Sequence, residues 1–144
     1  MHAFKMKQHQ DIITIHSRGK GLQEITSAIA SWLSRHGVAS GMVIVFCRHT
    51  SASLTIQENA DPDVQRDLEA FFERSVREDP ALYRHRAEGA DDMPAHIRSA
   101  LTDVQLTIPV RDGRMVLGTW QGVYLFEHRA APHSRQLVLH YLGD

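Results

Sequence analysis

Read along the chain, apolar positions alternate with polar ones, shift to helical spacing and later return to alternation. Asp11 to His16 (DIITIH) is β-branched and reads as a strand. Leu22, Ile25, Ile29, Trp32 and Leu33 recur at helical spacing, and Gly37 sits where a glycine closes a helix. Met42 to Cys47 (MVIVFC) is short and continuously apolar, which predicts a strand buried on both faces. Ala52 to Ile56 predicts another strand, ending at Gln57-Glu58-Asn59. Asp61-Pro62 then opens a second helix, with Val64, Leu68, Phe71, Phe72 and Val76 as its apolar stripe and Glu73 and Arg77 spaced as an i,i+4 ion pair.

Tyr83 to Asp92 has no period and reads as an acid-rich loop, followed by a short helix from about Pro94 to Leu101. Asp91 and Asp92 stand at that helix start, where carboxylates meet the positive end of the dipole. Period two returns at Val104, Leu106, Ile108 and Val110, and Asp112-Gly113 is a hairpin signal that sends the chain back through Met115, Val116 and Leu117. Thr119 to Phe126 and Gln136 to Leu142 predict two further strands. Helices inserted among hairpin-linked strands predict an α+β fold, a mostly antiparallel sheet with helices packed on one side. No linker, repeat or low-complexity tract interrupts residues 1–144, so one domain is expected.

Composition narrows the function classes. A net charge of −1 gives no basic footprint for nucleic acid or an anionic membrane. Met1 to Lys7 carries basic residues without an apolar run behind it, and no stretch approaches a membrane span, so a cytoplasmic protein is expected. Cys47 is the single cysteine, which rules out an intrachain disulfide or a cysteine zinc cage.

Candidate chemistry centres on histidine. His49-Thr50-Ser51, His85-x-x-Glu88-Gly89-Ala90-Asp91-Asp92 and His96 put three imidazoles and several acids in the middle of the chain. Neutral imidazole is the commonest protein metal ligand, and neighbouring acids supply oxygen ligands or fix its tautomer. Three imidazoles and a water would make a catalytic zinc shell if the fold brings His49 alongside. The spacing is not that of a helical zinc protease, and no serine-nucleophile elbow is present, so Ser51 reads as a hydrogen-bonding group for backbone or ligand phosphate. Glu58, at a strand-to-helix corner, has no evident capping role and is a candidate ligand contact. Trp120, between two strand glycines, suits a flat heterocycle or a core or subunit interface. Arg135 would suit a phosphate, against the default of a solvated strand-end charge.

Taken together, HTSASLTIQENADPDVQRDLEAFF (residues 49–72), EGADDMPAHIRSAL (88–101), LTIPVRDGRMVLGTWQGVYLFEHR (106–129) and the closing SRQLVLHYLGD resemble the YjbQ family. The resemblance implies an α+β fold assembled as a homotrimer, with a histidine-rich pocket that takes metal or anions. It implies a secondary thiamine-phosphate synthase activity, joining a pyrimidine pyrophosphate to a thiazole phosphate. By motif, His49, His85 and His96 become metal or acid–base candidates, with Glu88, Asp91, Asp92 and Glu127 in support. One departure is Ser134-Arg135-Gln136, where relatives tend to carry adjacent arginines, and this weakens a phosphate clamp there.

The expected cofactor is a divalent metal. Magnesium suits the departing pyrophosphate, whereas a histidine cluster suits zinc, nickel or iron. The expected partners are a small phosphorylated substrate and further copies of the chain. Competing expectations are a metal-dependent hydrolase of a small metabolite and a non-catalytic trimeric protein that binds metal or phosphometabolite.

Overall fold

Every strand pair among the described residues is antiparallel, and two sheets result. The computed structural model describes residues 5–144. Its strands are β1 (Lys7–His16), β2 (Gly21–Glu24), β3 (Gly41–Cys47), β4 (Ala52–Glu58), β5 (Gln105–Arg111), β6 (Arg114–Met115), β7 (Gln121–Glu127) and β8 (Ser134–Gly143). The helices are α1 (Thr26–His36), α2 (Pro62–Ser75) and α3 (Asp92–Leu101). A five-stranded sheet runs β1-β8-β3-β5-β6, and a three-stranded sheet runs β2-β7-β4. Met1 to Phe4, part of the segment read above for a targeting signal, lie outside the described residues. Among the described residues no helix is long and apolar enough to cross a membrane.

Alternation decides how the sheets stack. Val43, Val45, Cys47, Leu137, Leu139 and Tyr141 on one side of the larger sheet meet Ala52, Leu54, Val123 and Leu125 of the smaller one in a shared core. Ile29, Trp32 and Leu33 of α1 complete it. The buried Trp32 indole is satisfied by donating to Asp11 Oδ2 at 2.8 Å. The opposite face of the smaller sheet carries Ser53, Tyr124 and Phe126, and α2 and α3 cover it. Gln65 of α2 donates to the Tyr124 hydroxyl, Phe72 packs edge-on against Phe126, and Ser99 of α3 donates to the Ala52 carbonyl. All three helices therefore lie on one side of the five-stranded sheet.

Local signals hold where they are self-contained. Gly37 takes the left-handed cap after α1, and Asp61 accepts from the Asp63 amide at the start of α2. Asp112 (φ 53°) and Gly113 (φ 78°) form the β5–β6 turn, whose backbone twist requires positive φ at both positions. Cys47 is buried, and burial pushes its thiol up to about 11, as suits an inert side chain.

Four expectations shift. Leu22 belongs to β2, paired with Phe126, and Ile25 is the residue before α1, so the helix is shorter than its apolar spacing suggested. The strand pairing consumes the Gly21–Glu24 backbone and overrides the coincidental i, i+3 spacing. β3 is buried on one face only, since Met42 and Phe46 are 40% and 43% exposed. Glu73 meets Lys20 at 3.0 Å rather than Arg77, which lies beyond the end of α2. Thr119 and Trp120 form a turn, so the strand begins at Gln121.

Leu54 lies where the sheets meet and is fully buried. Leu54→Ala is expected to destabilise the fold by about 2–5 kcal/mol, measured by urea unfolding, because the rigid interface leaves a cavity.

Candidate metal centre at the start of the third helix

The site forms where three connections converge: the loop before α3, the β3–β4 turn and the chain leaving β7. Asp92, at the first turn of α3, is only 2% exposed. His96 follows one helical turn later, on the same face. His96 Nε2 stands 3.2 Å from Asp92 Oδ2, and His85 Nε2 approaches the same oxygen at 2.7 Å. These three ligand atoms all lie within 4.8 Å of one another.

Hydrogen-bond logic sets the tautomer. His96 Nδ1 lies 2.9 Å from the Thr50 carbonyl, which only accepts, so Nδ1 carries the proton. A neutral His96 would then point its Nε2 lone pair at a carboxylate oxygen that also carries lone pairs. That arrangement is stable only around a cation, either a proton or a metal ion. A carbonyl behind one imidazole nitrogen and a free lone pair on the other is the usual preparation of a histidine ligand.

Arg129 holds the acids in place. Its Nε donates to Asp91 Oδ2 at 3.0 Å, its Nη1 to Asp92 Oδ1 at 2.9 Å and its Nη2 to the Glu88 carbonyl at 2.9 Å. The Ala130 amide also donates to Asp91 Oδ2. Gly89, at φ 107°, allows the turn that presents the Glu88 carbonyl. Burial alone would raise Asp92, but the hydrogen bond with His85 and the charges of His96 and Arg129 outweigh it and hold the carboxyl below its ordinary value. Asp92 thus gives one oxygen to Arg129 and the other to His85 and His96.

Beneath this centre, Glu127 and Arg135 form a buried ion pair between the two sheets. Arg135 Nε donates to Glu127 Oε1 at 2.8 Å, and its Nη2 donates to Glu127 Oε2 and to the carbonyl and hydroxyl of Ser51. The Ser17 hydroxyl and the His128 and Arg129 amides complete the carboxylate's partners. Burial acts to raise Glu127, but these donors win and lower it. Arg135 is therefore engaged by protein groups.

His49 stands apart from the three ligand atoms. It lines a hollow of about 370 Å³ together with His96, but its Nε2 accepts from the Gln136 amide at 2.7 Å. Its proton is thereby placed on Nδ1, so neither nitrogen offers a free lone pair in this conformation. Burial, aided by the Arg135 charge, lowers its pKa and keeps the ring neutral. Glu58 pairs with Gln121 and Ser51 lies beside Glu127, at opposite ends of β7. Glu58 and the exposed Trp120 are therefore about 20 Å from the centre at the rise of a strand.

From the sequence alone Arg129 has no assigned role. The available signal was an arginine just past a strand in a chain carrying an adjacent Asp91-Asp92 pair. His128 was also passed over; it is fully buried and shares a hydrogen bond with Ser53, and burial with the Arg98 charge lowers it to about 3.

The UPF0047 protein YjbQ-like family model matches residues 11–144. The chain belongs to this family. A UPF0047 protein of Synechocystis is 54% identical over 142 residues, covering 99% of this chain and 97% of the relative. YjbQ of Salmonella typhimurium is 44% identical, covering 94% and 99% of the two chains. A crystal structure of a YjbQ/UPF0047 family protein from Clostridium acetobutylicum superposes with TM-score 0.81 at 33% identity, covering 91% of this chain and 98% of that one. A YbjQ-like protein of unknown function from Sulfolobus solfataricus gives TM-score 0.87 at 22% identity over 97% of this chain and all of that one, a likeness of fold.

The depressed Glu127 stabilises the fold fully above the ordinary carboxyl value of 4.5 and loses that contribution as pH falls through its lower folded value. Glu127→Gln, which strands Arg135, is expected to cost about 3–5 kcal/mol at neutral pH. The gap from the parent protein should narrow in denaturant titrations below pH 4.5.

Proposed function

We propose that this chain is a metal-dependent enzyme acting on a small phosphorylated metabolite, with His85, Asp92 and His96 as ligands of one zinc-type divalent ion. The observation that carries this reading is the convergence of His85 Nε2, His96 Nε2 and Asp92 Oδ2, with the Thr50 carbonyl behind His96. Two imidazoles and one carboxylate fit zinc, nickel or iron better than magnesium, which prefers oxygen ligands. Such an ion, when bound, neutralises charge on a phosphate or pyrophosphate leaving group or lowers the pKa of a coordinated water.

The chain's own residues have separate tasks. Arg129 positions Asp91 and Asp92. Arg135 and Glu127 position Ser51 and the strand ends beneath the centre. His49 offers an Nδ1–H donor at the rim of the hollow it shares with His96. Glu88, exposed on the loop, is the proposed acid–base carboxylate.

The specific reaction proposed is the thiamine-phosphate synthase-type condensation implied by the family resemblance. A bond forms from the thiazole nitrogen to the pyrimidine methylene while the methylene–oxygen bond to pyrophosphate breaks. The nitrogen-rich donor set also favours a second reading, metal-assisted hydrolysis of a small phosphorylated or amide-bearing metabolite.

The proposed homotrimer would use the open face of the five-stranded sheet, where Ile12, Met42 and Phe46 are exposed. Glu58 and Trp120 would reach a substrate only across such a subunit boundary.

Elemental analysis of gently purified protein is expected to find about one zinc-type ion per chain, lost in His85→Ala/His96→Ala and in Asp92→Asn. Failure to bind any ion after addition of zinc, nickel, iron or manganese would remove the ligand assignment. Assays of condensation and hydrolysis with the loaded protein then separate the two reactions, and Asp92→Asn should lower whichever is present by at least about a hundredfold. Phe46→Glu is expected to turn the trimer into monomers in light scattering; a monomeric parent protein would overturn the assembly.

A further inference from the structure

A cavity of about 290 Å³ lies between α2 and the covered face of the three-stranded sheet, outside the metal centre. Arg98 lines it from α3. Arg98 follows His96 by two residues, about 200° around the helix, so it serves the opposite side of α3 from the ligands. Phe72 and Phe126, in edge-to-face contact at 5.3 Å, supply an apolar wall.

The electrostatics of this cavity are incomplete. Arg98 is only 1% exposed, yet its one carboxylate partner, Glu73, is held at 3.5 Å and shared with Lys20. Nη2 donates to the Val76 carbonyl at 2.8 Å, Nη1 reaches Glu73 only at 3.5 Å, and the buried Nε has no partner. Glu73 is half exposed and is shared with Lys20 at 3.0 Å, and Lys20 also bonds Glu78. Glu69, the other acid of the wall, accepts from the Leu22 amide. Arg66 stands at the rim, paired with Asp63 at 2.9 Å. Buried charges are normally paired and buried N–H groups bonded, so a cavity beside an under-compensated guanidinium favours an anion. Its volume equals about ten waters of liquid, enough for a small ring bearing one acidic group.

We propose that this cavity is a binding site for a small organic anion, a flat apolar ring carrying a phosphate or carboxylate. The ring packs against Phe72 and Phe126, and the acidic group compensates Arg98, with Lys20 and Arg66 at the rim. The site stands independently of the metal centre.

Calorimetric titration of the full chain with phenyl phosphate, benzoate and neutral benzyl alcohol, in the presence of a chelator, tests the proposal. Saturable binding of at least one anion is expected, with benzyl alcohol weaker by about tenfold or more. The tighter of the two anions identifies the acidic group. Arg98→Met should weaken anion binding by about tenfold. Because Arg98 is buried and its variant risks misfolding, Ala70→Phe provides a second arm, since Ala70 lines the cavity from the exposed side of α2 and a ring there fills it. That variant should abolish binding while His96→Ala leaves it unchanged. No saturable anion binding, equal binding of the neutral ring, unchanged binding in Ala70→Phe, or loss in His96→Ala would each overturn the assignment.

Discussion

The Glu127–Arg135 ion pair is the constraint on which the functional end of the molecule depends. It spans the two sheets, from β7 to β8, at the edge of their shared core. Two charges taken out of water are stable only when their remaining hydrogen-bond capacity is met. Ser17, Ser51 and the His128 and Arg129 amides meet it, each from a different stretch of chain or the strand's own exit. The pair therefore fixes the β1–β2 connection, the β3–β4 turn and the end of β7 relative to one another.

The candidate site inherits this placement. Because the Arg129 amide is tied to Glu127, its guanidinium is directed at the start of α3, where it takes one oxygen of Asp92 and one of Asp91. The β3–β4 turn, held through Ser51, sets the Thr50 carbonyl that determines the His96 tautomer. Each step is a charge-assisted or geometrically specific bond, and such networks are worth more together than their pairs suggest. The result is one carboxylate oxygen and two imidazole nitrogens converging on one point, with His85 open to solvent.

α3 serves two environments. Its first turn and His96 face the candidate cation site, while Arg98 turns towards the cavity under α2. With the candidate ligands on one face and a buried arginine on another, α3 contributes no residue to the main hydrophobic core. Packing comes instead from the two sheets and α1.

Much of this was legible in the amino-acid sequence. Period two marked the strands, the Gly37 and Asp61 caps bounded two helix ends, and Asp112-Gly113 marked its hairpin. The acid-rich segment around Asp92, with His85 and His96, stood out as candidate chemistry, and the quoted motifs identified the family. These signals are local, carried by neighbours in sequence whose periodicity or backbone preference does not depend on the rest of the chain. Only the tertiary structure decided that Leu22 pairs with Phe126, that β3 leaves one apolar face open, and that His49 gives its lone pair to the Gln136 amide. It also decided that Arg129 and Arg135 are engaged by carboxylates and that Glu58 and Trp120 lie at the far end of β7. A buried ion or an imidazole takes whichever partner the packed sheets bring within 3 Å or so, and such a partner can lie 110 residues away in sequence, as Ser17 does from Glu127. Residue type and spacing reveal what a side chain is able to do; the packing of distant strands selects which of those things it does.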